Sequence, residues 1–182
     1  MFAPPAWPSI APDDVFVRDA DLPGTETDDF VELFQQLYPR LVRSLHLAGA
    51  PPALAEDLAQ EAFARTLRHW RRVRGGESPA GYVYRVAFRE LRREGLVPAS
   101  PADSLEPTDP RGDDALTFTL TLADVERALA AMPPRRRACA VLCLLLDVSP
   151  TDAGEALKIA PATVRKQVEL ARRELRLAVM PY

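Results

Sequence analysis

Four side chains of one segment, Tyr82, Arg85, Arg89 and Arg92, fall at i, i+3, i+7 and i+10, so a helix places them along one flank. Tyr84, Phe88 and Arg93 lie close by. Guanidinium groups interleaved with aromatic rings suit phosphate contact and base stacking. An Arg-rich solvated helix with its aromatics in a core has the same spacing, and the pattern fits both readings equally. A second cationic set, Arg165, Lys166, Arg172, Arg173 and Arg176, lies on a predicted final helix from Pro161 to about Val179. A short predicted helix and the turn Lys158-Ile159-Ala160 precede it, the dimensions of a helix-turn-helix. Val164, Val168, Ala171 and Leu175 are its expected buried face; any basic helical hairpin shares this pattern. Asp57, Gln60, Glu61, Ala64 and Arg68 form a polar side of an earlier helix, for which a solvated face is the simplest account.

Other chemistry is poorly supplied. Cys139 and Cys143 lie four apart in the apolar run 138–146 and read as small core residues on one helix face. Two cysteines exclude a disulfide framework. His46 and His69 are isolated, so no metal site is expected. No Gly-rich phosphate loop, Gly-x-Ser-x-Gly or His-Glu-x-x-His is present. An enzyme is therefore not expected, and neither is a cofactor. The N-terminus lacks the basic start and apolar stretch of a signal peptide. The longest apolar run, nine residues, is too short to span a bilayer. These features predict a cytoplasmic protein with no membrane insertion.

The elements that must carry these residues read as all-α. Phe30, Phe34, Leu37, Leu41 and Leu45 form an amphipathic stripe, interrupted by Pro39 and ended at Gly49. Pro51-Pro52 opens a second helix, with Leu54, Leu58, Phe63, Leu67 and Trp70 on its buried side. Ser78-Pro79 caps a third, running to about Arg93, with Val83, Val86, Ala87 and Leu91 facing inward. Leu122 to Met132 is helical, and a further helix runs from Pro134 to about Asp147. Ser149 caps the short helix to Leu157, with Asp152 at its third helical position.

The net charge of −3 conceals a pattern. Residues 1–29 carry −6, 30–93 carry +5, 94–124 carry −6 and 125–182 carry +4. Two basic blocks alternate with two acidic ones, so the acidic pI of the whole chain misleads. The predicted organisation is a disordered, acidic, Pro-rich arm over 1–29, a helical domain over 30–93, an acidic linker over 94–121 and a second helical domain over 122–182. Fully extended, that linker reaches roughly 90 Å.

Two segments carry a family resemblance. Ala55-Glu56-Asp57-Leu58-Ala59-Gln60-Glu61-Ala62-Phe63, followed by Ser78-Pro79-Ala80-Gly81-Tyr82-Val83-Tyr84-Arg85-Val86-Ala87, resembles the sigma-2 region of extracytoplasmic-function sigma factors. Those commonly read AEDLVQEVF and then AWLYRIA. The lead-in Ala128-Leu129-Ala130-Ala131-Met132-Pro133-Pro134-Arg135, with Ser149 and Ala160-Pro161-Ala162-Thr163-Val164-Arg165, resembles their sigma-4 region. Tyr82 stands where the family usually has Trp, and Asn often occurs near Arg89. Lys158 replaces the turn Gly, at a position often needing φ > 0. Ala160 replaces the usual Ser cap.

The resemblance implies a protein that binds core RNA polymerase and directs it to promoters. Asp57, Gln60 and Glu61 would meet the β′ clamp helices of polymerase, and the β flap is the second implied contact. Tyr82, Tyr84, Arg85, Phe88, Arg89 and Arg92 would read and help melt the promoter −10 element, where extruded bases need flat partners and a cationic groove. Thr163, Arg165, Lys166 and Gln167 would face the −35 element, with Arg136, Arg172 and Arg173 on phosphates. An anti-sigma factor is a further partner the family allows. The alternatives are a helix-turn-helix regulator of another kind and a sigma-like polymerase-binding protein that does not itself initiate.

Overall fold

The computed structural model describes residues 24–98 and 122–179; most of the expected acidic arm and linker lies outside them. Every regular element among the described residues is helical. Helix α1 spans Gly24–Leu47, α2 Pro52–Arg68, α3 Trp70–Val73 and α4 Pro79–Arg93. The second unit holds α5 Leu122–Ala131, α6 Pro134–Ala140, α7 Pro150–Leu157 and α8 Pro161–Val179. A π-helical turn, Val141–Leu145, extends α6. Helix α1 begins at Gly24, inside the stretch expected to be an arm.

Local chemistry sets the boundaries. Gly49, at φ +111°, ends α1: its N–H donates to His46 O and the Ala50 N–H to Leu45 O, a closure that only a left-handed residue permits. Ser78 and Ser149 cap α4 and α7, accepting from the N–H groups of Gly81 and Asp152. The turn between α7 and α8 departs from preferred backbone geometry, as does Asp147 at φ 53°. Lys158 sits at φ 56°, ψ 44°, a left-handed residue with a Cβ. Gly154 faces it: a Cβ there would lie 2.7 Å from the Ile159 carbonyl oxygen.

The core is continuous across both units. Leu41, Leu45, Phe88 and Leu91 from the first are fully buried, as are Leu129, Leu142, Leu157 and Val164 from the second. Each such side chain contributes roughly 1.5–3 kcal/mol through burial. An aromatic cluster closes the far end, where Phe30 meets Trp70 edge-on at 5.3 Å and Phe34 meets Phe63 at 4.9 Å. Cys139 is buried and Cys143 half-buried, with thiols pushed by burial up to about 12 and about 11. Both stay protonated at neutral pH and pack as apolar groups.

The two units also pack directly on one another. Helix α4 lies against α1 and α2 on one side and against α7 on the other. The Arg40 Nη2 donates to the Leu145 carbonyl at 2.7 Å, serving an acceptor left over by the π-helical turn. Arg43 pairs with Glu126 at 2.6 Å. The first residues of the expected linker also join the body: Val97 is buried, and Arg135 donates twice to the Pro98 carbonyl, at 2.8 and 3.2 Å.

The turn chemistry predicts opposite effects at two positions. Lys158→Gly removes the left-handed strain and raises stability by about 1 kcal/mol. Gly154→Ala forces α7 away from the turn and lowers it. Urea unfolding midpoints of the two variants, read by circular dichroism, check both signs.

Candidate nucleic-acid interface

Helix α4 presents two kinds of residue. The inward residues are as expected: Val83, Val86, Ala87 and Leu91 are buried. Tyr84, Arg85 and Phe88 are buried too, so 83–88 forms an unbroken covered stretch. The reason is the second partner. A helix covered by α1 and α2 alone would keep one open flank, and α7 closes it. Phe88 is wholly inside the core, and Tyr84, at 4% exposure, carries a phenol whose pKa burial raises. In this arrangement neither ring is offered to a base.

Tyr82, Arg89 and Arg92 stay half-exposed at the edge of that cover. Burial raises the pKa of the Tyr82 phenol, partly offset by the positive charges of Arg89, Arg85, Arg65 and Arg72. The Arg85 guanidinium lies 5.9 Å from the ring centroid of Tyr82, within cation–π range. Arg65 and Arg72 come from α2 and α3, and spacing within α4 gives no sign of them. The buried Nε atoms of Arg89 and Arg92 have no hydrogen-bond partner among the described residues.

Arg65 is held in place by acids. Its Nε donates to Glu61 at 2.5 Å and its Nη1 to Glu90 at 2.8 Å, and Glu90 also takes Arg93. Glu61, expected to face polymerase, is thus half-buried and committed to this network. Asp57 and Gln60 are exposed on the same side of α2.

Arg85 is the most enclosed cation of α4. Its side chain is 6% exposed, and Nη1 lies 3.0 Å from Glu155 Oε2 and 3.6 Å from Asp152 Oδ1, both on α7. It lies between the units and is more enclosed than Arg89.

In the second unit α7, the Lys158–Ala160 turn and α8 form the helix-turn-helix. Val164, Val168 and Ala171 are buried and Leu175 partly so, as the stripe predicts. Arg165, Lys166, Arg172, Arg173 and Arg176 are exposed, with Glu169 among them. Gln167 and Glu174 lie on another flank, two turns apart, and both engage Arg136 of α6: its Nε donates to Gln167 at 3.2 Å and its Nη1 to Glu174. Arg136 is 7% exposed. Its guanidinium and Gln167 are therefore used inside the fold, which corrects their assignment to DNA; Thr163, one turn before Gln167, is half-exposed.

No helix among the described residues is long and apolar enough to cross a membrane. The family model of sigma-70 region 2 matches residues 33–94, and that of sigma-70 region 4 matches residues 122–175. The ECF RNA polymerase sigma factor SigE of Mycolicibacterium smegmatis is 29% identical over 177 residues, covering 93% of this chain and 68% of its own. The RNA polymerase sigma-E factor of Streptomyces coelicolor is 29% identical over 162 residues, covering 83% and 86%. Among solved structures, the sigma factor RpoE of Bartonella quintana, crystallised with the anti-sigma factor NepR, has the same fold. It aligns at a TM-score of 0.58 and 19% identity, over 84% of this chain and 97% of that one. Two matched regions in the family's order, and relatives spanning most of the chain, place it in the sigma-70 family, as an extracytoplasmic-function RNA polymerase sigma factor that directs promoter recognition.

Proposed function

We propose a division of labour among three surfaces. The edge of α4, with Tyr82, Arg89 and Arg92, and with Arg72 beside it, takes the −10 strand. Arg165, Lys166, Arg172 and Arg173 on the exposed arc of α8 enter or flank the −35 major groove. Asp57 and Gln60 on α2 meet the clamp helices of core polymerase. The half-exposed Tyr82, Arg89 and Arg92 along one flank of α4 carry the first assignment. A phenol ring flanked by cations supplies a stacking plane and phosphate contacts together. The unmatched Nε donors of Arg89 and Arg92 favour it too, since a buried donor without an acceptor is costly and a phosphate oxygen would relieve it.

The −35 assignment rests on sorting by partner. Arg136 and Gln167 satisfy one another and Glu174, whereas Arg165 and Lys166 stand exposed near the N-terminal end of α8. That is where a recognition helix meets base edges. The protein acts by binding, not by catalysis, in the cytoplasm beside polymerase, and we infer an anti-sigma factor as a further partner on family grounds alone.

Reconstitution with core polymerase and run-off transcription on a genomic promoter pool tests the whole. Promoter-specific transcripts are expected; polymerase binding without transcripts would mean a sigma-like protein that does not initiate. Arg165→Ala with Lys166→Ala should cut −35-dependent transcription about tenfold or more while core binding stays intact. Each lost phosphate contact should lower the salt slope of DNA binding by about 1. Arg72→Ala with Arg89→Ala should weaken open-complex formation, read by permanganate footprinting, with stability unchanged in urea.

A further inference from the structure

We infer that Glu169 determines base specificity in the −35 contact: its carboxylate accepts from the N4 amino group of a cytosine in the major groove and fixes the preferred base at one position. The inference rests on the reading of α8 as the −35 recognition helix. Among the described residues of α8, the exposed side chains are Ala162, Glu169 and the five cations already named. At about 100° per residue they span an arc of about 120°. Glu169 lies on the midline of that arc, with Arg165 and Arg172 to one side of it and Lys166 and Arg173 to the other. It is also in the first half of the helix, which spans Pro161–Val179, toward the end where a recognition helix meets base edges.

An acid at this place opposes the attraction between the arc and phosphates, so it needs a donor to offset the cost. Arg and Lys side chains only donate hydrogen bonds, which suits them to guanine O6 and N7. Glu169 is the one acceptor among the exposed side chains of the described part of α8. Its hydrogen-bonding capacity is uncommitted: among the described residues it forms no ion pair, although cations stand three and four positions away on both sides. Glu174, on the other flank, is spent on Arg136. In the major groove only cytosine N4 and adenine N6 donate. Adenine sets its N7 acceptor beside N6, against the second carboxylate oxygen, whereas cytosine has no acceptor beside N4. Guanine and thymine present acceptors alone and would leave the carboxylate desolvated and repelled, which rejects them. Arg165, one turn earlier, carries the complementary donors for guanine.

The test takes a promoter recovered from the genomic pool and randomises its −35 positions, with a barcode downstream of the start site to identify each template. Transcripts made by core polymerase with the full chain, or with a variant, are sequenced and compared with the input. The unchanged chain should favour cytosine about tenfold over guanine and thymine at one −35 position. Glu169→Gln should move that preference toward adenine, whose N6 and N7 a carboxamide matches in pairs, while the other −35 positions keep their bases. Glu169→Ala should flatten the one position. Base preferences unchanged in both variants would overturn the inference. So would a uniform rise or fall in output over all sequences, the mark of a bulk charge or a structural role. The two levels separate cleanly. If the unchanged chain shows no base preference at any −35 position, α8 itself is misassigned. A preference that Arg165→Ala with Lys166→Ala shifts but neither Glu169 variant shifts leaves α8 in place and overturns the inference alone.

Discussion

A guanidinium group shut away from water must find anions, because desolvating a permanent charge costs several kcal/mol that only close, well-oriented partners offset. Arg85 sits mid-way along α4 and meets this demand outside its own unit. Asp152 and Glu155 of α7 are among its partners. Once that pairing is made, the rest of the arrangement is constrained. Helix α4 is enclosed on both sides, Phe88 and Tyr84 become core residues, and the two units share one apolar interior. The second unit also brings Glu126 to Arg43 and the Leu145 carbonyl to Arg40. The first of these is solvent-exposed and contributes little alone. They follow the Arg85 pairing in placing positive side chains of the first unit against acceptors of the second.

The same accounting of partners sorts the arginines, which one-dimensional charge counts treat alike. Arg136 and Arg65 are spent inside the fold, the first on Gln167 and Glu174, the second on Glu61 and Glu90. Arg165, Arg172 and Arg173 are exposed. The net charges of the two basic blocks therefore overstate what either surface presents to DNA. What matters for recognition is which cations keep their hydrogen-bonding capacity, and that depends on the flank of the helix each one occupies.

Most of the element plan was legible in the sequence because it rests on local chemistry. Ser78 and Ser149 cap the helices they were expected to cap, and Gly49 ends α1. Lys158 adopts the left-handed conformation that its position in the turn demands, although it is not glycine. The buried stripe of α8 follows directly from helical period. Burial of Tyr84, Arg85 and Phe88 was not legible, because it depends on α7, some 70 residues away, an association no periodicity encodes. The contribution of Arg65 and Arg72 to the Tyr82 surroundings was hidden for the same reason. The capture of Gln167 by Arg136 joins residues 31 apart, each of which alone reads as a surface polar group.

That Arg85 is arginine and not lysine matters to its place between Tyr82 and the acids of α7. A lysine ammonium is a compact point charge, strongly hydrated, and loses more on burial. A guanidinium is flat and weakly hydrated, and it can lie against Tyr82 while presenting N–H groups outward in a fork. One face then serves the ring and one edge serves anions. Arg85 and Glu155 lie in the two net-basic blocks, so their pairing is one that the block charges do not show.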